Sequence, residues 1–415
     1  MNAGFPASQP ANRTLSNAKA ARQDEFYTQY VDIQKEVEAY LEFDPDAFRG
    51  KVVYCNCDDP FESNFFKYFA ASFNRLGLKK LVTTSYDGSP IAGQGTLFPE
   101  YNAGNGQRRK PKALAFEIDH VKDVSGDGAT SIEDVRLFLE QNPHTRTPLA
   151  GGGDFRSPEC IALLKQADIV VTNPPFSLFR EYVAHLVEHG KKFVVIGPKN
   201  AITYKEIFPH IMGNKLWLGA GFAKGNAYFS IPADSRRDFA DGVYDESTGL
   251  VKFRNVGWFT NLDHGRRHAE LKLMTMADNL KFSKHKEIRG KAAYDRYDNY
   301  DAIEVPFTDA IPSDYDGVMG VPITFLDKYN PDQFEILGLT KTWFGAARKT
   351  YPNQTQISRD GTESIVSKLN DQPAIRVQEP PTGQTYYTVD GEHYIALYQR
   401  ILIRHRAAPV EGTNK

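Results

Sequence analysis

The chain has 415 residues, 41% hydrophobic, 12% aromatic and 25% charged, with a formal net charge of −2. That length allows two or three domains with sizeable cores, and the near-neutral balance excludes a globally basic nucleic-acid binder, so any basic surface must be local. The three cysteines, Cys55, Cys57 and Cys160, form no C-x-x-C pair; this argues against a disulfide framework or a zinc site and suits a reducing cytoplasm.

No apolar run approaches a membrane span. The opening "MNAGFPASQPANR" lacks the apolar stretch of a signal peptide, and residues 1–15 read as a disordered arm. Residues 16–41 predict a helix capped by Ser16, with Tyr27, Tyr30, Ile33, Val37 and Leu41 at helical spacing. "KVVYCNC" (51–57) predicts a strand. The following "DDPFESNFFKYFAASFNRLG" predicts a helix whose face is Phe65, Phe66, Phe69 and Phe73 and whose stop is Gly77. A second strand follows at 79–87, then a Gly-rich basic excursion at 88–112, a strand at 113–119 and a helix at 131–141. "GGGDFRSPECIALLKQ" is a loop entering a helix, with Ser157 as cap. Ile169–Thr172 is the most hydrophobic strand; a helix at about 177–189 and the strand "KKFVVIGP" come next. "KLWLGAGFAKGNAYFSIP" and "VGWFTNLDH" predict later strands. Continuous apolar strands alternating with helices predict an α/β fold with a doubly wound, mostly parallel sheet over residues 16–264.

After about residue 265 the strands shorten, turns multiply, and "YIALYQRILIRHR" closes the pattern as an amphipathic strand. Residues 265–415 therefore predict a second, mixed α/β or β-rich domain. The stretch 251–300 holds 11 Lys and Arg against 6 Asp and Glu, either a solvated face or a local basic surface.

In an open parallel sheet ligands bind beyond the carboxyl ends of the strands. The residues there are Asp58, Asp59 and Pro60 after the first strand, Asp87 after the second, Asp154 and Phe155 in the "GGGDF" loop, and Asn173–Pro174–Pro175–Phe176 after the fourth. The two prolines, lacking N–H donors, could serve only to stop a strand. The acidic groups are wrong for a phosphate cradle and suit a ligand with hydroxyls and amines. With no G-x-G-x-x-G and no G-x-x-x-x-G-K-[ST], a dinucleotide or nucleoside triphosphate is disfavoured.

Asn173–Phe176 resembles the catalytic [D/N/S]-P-P-[Y/F/W] motif of S-adenosylmethionine-dependent amino methyltransferases. "DEFYT" (24–28) resembles the motif that precedes the sheet in many adenine methylases, "DDPFESNF" the cofactor loop D/E-P-F-x-G-x-G, and "GDFRS" the motif that contacts the cofactor's adenine. In the loop, Ser63 and Asn64 stand where the family pattern has glycine. "YCNCDDPFESNFFKYF", "GWFTNLDHGRR" and "YDGVMGVPITFLDKYNPDQFEILG" extend the resemblance to the EcoRI-type adenine-specific DNA methylases over about 16–405.

The resemblance implies a Rossmann-like catalytic domain with a fused target-recognition domain, and a monomer acting on adenine N6 in double-stranded DNA. A base inside the helix is unreachable, so the adenine must be flipped out. The cofactor is S-adenosylmethionine, whose activated methyl requires no metal. A restriction endonuclease acting on the same site is a possible partner. By the same resemblance Asn173 and Pro174 accept from the target amine and Phe176 stacks on the base. Thr28, Asp58, Asp59, Pro60, Asp87, Asp154 and Phe155 face the cofactor, Asp154 at its adenine and Asp58 or Asp87 at its ribose. Phe222, in "GAGFAKGN", is a candidate for the base's other face. Arg266, Arg267 and Lys284 are candidate phosphate contacts, with "GQRRKPK" (106–112) as the other basic segment. An RNA or protein amino methyltransferase and a non-catalytic methylase-like DNA-binding protein are the competing readings.

Overall fold

Strands covered on both faces are made from runs of consecutive apolar residues, and two such runs, Val52–Cys55 (β2) and Ile169–Thr172 (β6), are buried at every position. The computed structural model describes residues 27–56, 63–87, 113–122, 131–142, 145–222, 226–230 and 242–406. The chain divides into two compact units: one runs to Lys199 and takes in Gly219–Leu262, and the other holds Asn200–Leu218 and the residues from Asp263 on. The sequence suggested a boundary between 264 and 265 and assigned 200–218 to the first domain.

In the first unit, seven strands lie in the order β5-β4-β3-β2-β6-β7-β12. They are Lys80–Thr84 (β3), Leu114–Ile118 (β4), Arg146–Pro148 (β5), Lys192–Pro198 (β7) and Val256–Thr260 (β12), with β2 and β6. The inner strands β3, β2, β6 and β7 pair in parallel. β4, β5 and β12 pair antiparallel with their neighbours. A parallel neighbour requires a crossover, usually a helix. The sequence between β3 and β4 has no helical pattern, so β4 returns antiparallel.

Four helices around this sheet begin or end at recognisable signals. Asn64–Ala71 (α2) is capped by Ser63, whose hydroxyl accepts from the Phe65 and Phe66 amides at 3.1 and 3.4 Å. The short Phe73–Leu76 (α3) ends at Gly77, with φ of 62°. Ile132–Gln141 (α4) starts with a Ser131–Asp134 capping box, and Pro158–Gln166 (α5) with Ser157. Phe65, Phe69, Phe116, Val171, Val194 and Trp258 belong to one continuous core.

Of the helix expected at 16–41, residues 16–26 lie outside the described residues, and the described part runs from Tyr30 to Phe43 (α1). Tyr27–Thr28 instead form a strand (β1) against Ala227–Ser230 (β9), in a small antiparallel sheet completed by Leu250–Phe253 (β11) and Tyr244–Asp245 (β10). Long-range pairing overrides the local helical spacing there. Ser16 and the arm at 1–15 lie outside the described residues. "KLWLGAGFAKGNAYFSIP" divides likewise: Trp217–Leu218 (β8) falls in the second unit and β9 in the first.

The second unit is β-rich. Ile303–Glu304 (β13), Met319–Pro322 (β14), Arg400–His405 (β21) and Phe334–Leu339 (β15) form one sheet. Glu363–Val366 (β17), Gln354–Ile357 (β16), Tyr386–Val389 (β19), Glu392–Ala396 (β20) and Ala374–Val377 (β18) form an antiparallel second. Asn299 stitches to the start of β18: its amide donates to the Gln372 carbonyl and its Oδ1 accepts from the Ala374 N–H, both at 2.9 Å. The nearly buried Arg400–Glu304 pair, at 2.8 Å, ties β21 to β13. No helix among the described residues is long and apolar enough to cross a membrane.

Candidate active site

β2 has parallel neighbours on both sides, β3 and β6. The chain winds one way from β2 to β3 and the other way from β6 to β7. The carboxyl ends of β2 and β6 therefore form the switch point of the sheet, where crossovers leave an open crevice. After β6 come Asn173–Phe176. After β2 comes Asn56 and then 57–62, so Cys57, Asp58, Asp59 and Pro60 lie outside the described residues.

A buried polar seam holds these strand ends together. The Thr172 hydroxyl donates to the Asn56 carbonyl. Thr84 donates to Asn56 Oδ1 at 3.0 Å, and the Tyr54 phenol lies 3.2 Å from the Thr84 hydroxyl. Thr84, Asn56 and Thr172 are buried. The ends of β3, β2 and β6 are thus fixed in height, and Asn173 leaves the sheet directly beside β2. Asn173 is half-buried, with Oδ1 screened from solvent, and both prolines are buried. Half-buried Phe176 opens a short 3-10 turn that closes with the Leu178 amide donating to the Pro175 carbonyl at 3.0 Å. Helix α6 (Phe179–Glu188) follows at once. Its first residue packs on Gly197 of β7, where a Cβ would stand 2.2 Å from the Phe179 ring.

The "GGGDF" loop lies against the end of β3. Gly153 has φ of +74°, and a Cβ there would meet the Ser85 carbonyl oxygen at 2.0 Å, so only glycine permits this approach. The Asp87 amide donates to the Gly152 carbonyl at 2.9 Å, which brings Asp87 and Asp154 into one neighbourhood. Both carboxylates already have protein partners. Asp87 Oδ1 accepts from the Ala113 N–H at 2.6 Å. Asp154 pairs with Arg156 at 2.8 Å, and Arg156 also reaches Glu181 at 3.0 Å. A carboxylate has about four acceptor positions, so Asp87 keeps capacity for a ligand, whereas Asp154 already accepts from Arg156 N and Nε at Oδ1 and from Arg156 Nη2 at Oδ2. Phe155 is 1% exposed and packs edgewise on Tyr182 and His185.

Thr28 and Asn64 meet in the structure. The Asn64 amide donates to the Thr28 carbonyl at 2.7 Å, so the segment around "DEFYT" is tied to the end of the "DDPFESN" loop. The Thr28 hydroxyl is buried with no hydrogen-bond partner among the described residues. Phe222 is packed inward: it stacks on Trp258 with ring centroids 5.4 Å apart, and 8% of it is exposed. Trp258 covers a face that was expected to meet a base, so Phe222 is placed as a core residue.

Two residues of the site were not singled out in the sequence, Asn56 and Glu36. Glu36 is 1% exposed. It accepts from the Ala220 and Gly221 amides, each at 3.0 Å, and from the Tyr40 phenol at 2.6 Å. It thereby clamps the "GAGF" segment onto α1. Burial, reinforced by this carboxylate, pushes the Tyr40 phenol well above its usual range and keeps it a donor. The signal was present: Ile33, Glu36, Val37 and Tyr40 form one helical stripe, and a charge inside an apolar stripe needs partners.

The basic candidates lie in the second unit and separate by burial. Arg267 is 5% exposed, lies over the Trp217 ring at 3.6 Å, pairs with Asp263 at 2.9 Å and donates to Asn214. The expected phosphate contact is therefore a buried structural cation. Lys284 is exposed but pairs with Asp309 at 2.7 Å, and Arg266 is exposed. Lys272, Lys286 and Arg289 are exposed with no ion-pair partner among the described residues. The "GQRRKPK" segment lies outside them.

Compared with known proteins, residues 14–406 match the family model described as adenine-specific methyltransferase EcoRI. The chain is 43% identical over 337 residues to the type II methyltransferase M.EcoRI of Escherichia coli, covering 80% of this chain and 90% of the relative. It is 37% identical over 332 residues to the type II methyltransferase M.MpnI of Mycoplasma pneumoniae, covering 78% and 84%. No solved structure gave a significant match.

The Glu36 clamp is testable by Glu36→Gln, which presents an NH2 group or a single oxygen to two backbone donors. Unfolding should become easier by about 2 kcal/mol, the cost of a buried donor left unsatisfied. Chemical denaturation measures this, and a change below about 0.5 kcal/mol, ordinary for a surface substitution, would show that the clamp contributes nothing.

Proposed function

The chain belongs to the EcoRI family of adenine-specific methyltransferases, and on that premise we propose that methyl transfer takes place at Asn173–Phe176, in the crevice where β2 and β6 part. The protein is a type II adenine-specific DNA methyltransferase that uses S-adenosylmethionine. The observation carrying the assignment is the position of the quartet: it leaves the sheet at the switch point, held beside β2 by the Thr172–Asn56–Thr84 seam.

Adenine's exocyclic amine is a poor nucleophile because its lone pair is delocalised into the ring. Asn173 Oδ1 and the Pro174 carbonyl accept its two N–H bonds. That pulls the nitrogen towards a tetrahedral shape and directs the lone pair outward, which is catalysis by positioning. The prolines keep the two acceptors in a fixed relation. The cofactor, when bound, supplies a methyl group already activated on a positively charged sulfur. Phe176 stacks on the extruded base.

Residues near the crevice fit such a cofactor. The Thr28 hydroxyl is a buried polar atom in want of a partner, next to the end of the 58–63 segment. Gly153 lets the "GGGDF" backbone approach closely. On this reading Asp154 accepts from the cofactor's adenine amine, Asp87 or Asp58 takes the ribose hydroxyls, and Phe155 shapes the floor. Asp59 and Pro60 complete the loop.

The β-rich second unit reads the DNA sequence. Lys272, Lys286, Arg289 and Arg266 supply phosphate contacts, while Arg267 braces the segment that carries Arg266. The protein acts as a monomer in the cytoplasm. A restriction endonuclease of the same specificity is its natural counterpart.

Asn173→Ala removes an acceptor whose value is greatest in the transition state. Single-turnover methylation should slow about 100- to 1000-fold, the range seen for losing one transition-state hydrogen bond, with cofactor affinity unchanged within about twofold. An equal collapse of cofactor affinity would make Asn173 structural.

Salt titrations of DNA binding separate the basic residues. Lys286→Ala and Arg289→Ala should each flatten the log–log slope by about 0.9, the share of one phosphate contact, without loss of folded protein. Arg267→Ala should instead lower the melting temperature. An unchanged slope for both surface variants would move the phosphate contacts elsewhere.

A further inference from the structure

Helix α6 carries the methyl-transfer loop before its first turn. Its far end carries His185, Glu188 and the capping residue His189. Spacings of three and four residues put these side chains on one face, one turn apart. One ligand atom from each can be chosen so that all lie within 4.8 Å of one another.

The two rings are already prepared as ligands. Their centroids are 4.4 Å apart. His189 Nδ1 lies 2.9 Å from the His185 carbonyl, so this nitrogen carries the proton and Nε2 keeps its lone pair. An N–H donated to a carbonyl is the usual device for orienting a metal-binding imidazole. His185 is held edgewise by Phe155, and its Nε2 is buried with no hydrogen-bond partner among the described residues. The charge balance also favours a cation. The three side chains sit at the negative end of the helix dipole, and Glu188 adds a carboxylate. The adjacent guanidinium of Arg156 is matched by Asp154 and Glu181.

We propose that His185, Glu188 and His189 form a binding site for a divalent transition-metal ion, Zn²⁺ foremost, at the C-terminal end of α6. Two imidazoles and one carboxylate make three of four tetrahedral positions, and water fills the fourth. Imidazole ligands favour zinc, nickel or copper over magnesium or calcium. The ion cross-links the last turn of α6 and stabilises the folded chain; it takes no part in methyl transfer.

The test uses the full-length protein, stripped of metal with a chelator and titrated calorimetrically with zinc chloride, with magnesium chloride as control. One Zn²⁺ per chain should bind, with a rise in melting temperature that chelator reverses and magnesium does not reproduce. His189→Asn and Glu188→Gln should each weaken binding at least roughly tenfold, a loss typical of damage to a metal site. Both variants leave the ring packed on Phe155 in place, so they keep the test independent of any folding defect in His185→Ala. Absence of stoichiometric binding would overturn the proposal. So would zinc binding that both variants retain, which would mark an adventitious ion only.

Discussion

Where the winding of a parallel sheet reverses direction, the crossovers lie on opposite faces and leave a gap at the carboxyl ends of the strands. β2 is in that position, and the crevice at its end follows from it. The residues after β2 and β6 face one another there because the crossovers diverge. The residues proposed to act in the first unit are arranged around that gap. Thr84, Asn56 and Thr172 fix the three strand ends relative to one another, Gly153 brings the "GGGDF" loop against the end of β3, and the Phe179 ring, seated on Gly197, starts α6 immediately after the quartet.

The same positioning logic explains the buried polar groups. A carboxylate or amide inside a core costs free energy unless it is hydrogen-bonded. Glu36 and Asn56 are each hydrogen-bonded, and each joins segments distant in sequence. Their bonds hold the surroundings of Asn173 and Phe176 rigid without supplying chemistry. Positioning catalysis needs that rigidity, since small misplacements cost orders of magnitude in rate.

Much of this arrangement was legible in the sequence, for physical reasons. Apolar runs mark β2, β6 and β7 because strands covered on both faces have no polar alternation. Ser157 is visible as a helix start because a cap is a local requirement. The Asn-Pro-Pro-Phe quartet stood out because prolines at the end of a buried strand are uncommon. What escaped depends on partners far along the chain. Tyr27–Thr28 have helical spacing, yet pair with Phe229 and Ser230. Phe222 and Arg267 have residue types suited to stacking and to phosphate, but Trp258 and Trp217 cover them. His185, Glu188 and His189 carry no cysteine motif to mark them, and only the turn of α6 brings them together.

The central claim is that Asn173 and Pro174 hold the target amine by its two N–H bonds. Its most direct test is a crystal structure of the protein with its DNA site and a non-reactive cofactor analogue. The account predicts an extruded adenine whose N6 lies within hydrogen-bond reach, about 2.6–3.2 Å, of both Asn173 Oδ1 and the Pro174 carbonyl, with its ring against Phe176. An adenine still stacked in the duplex, or an extruded one whose amine is held by other residues, would contradict it.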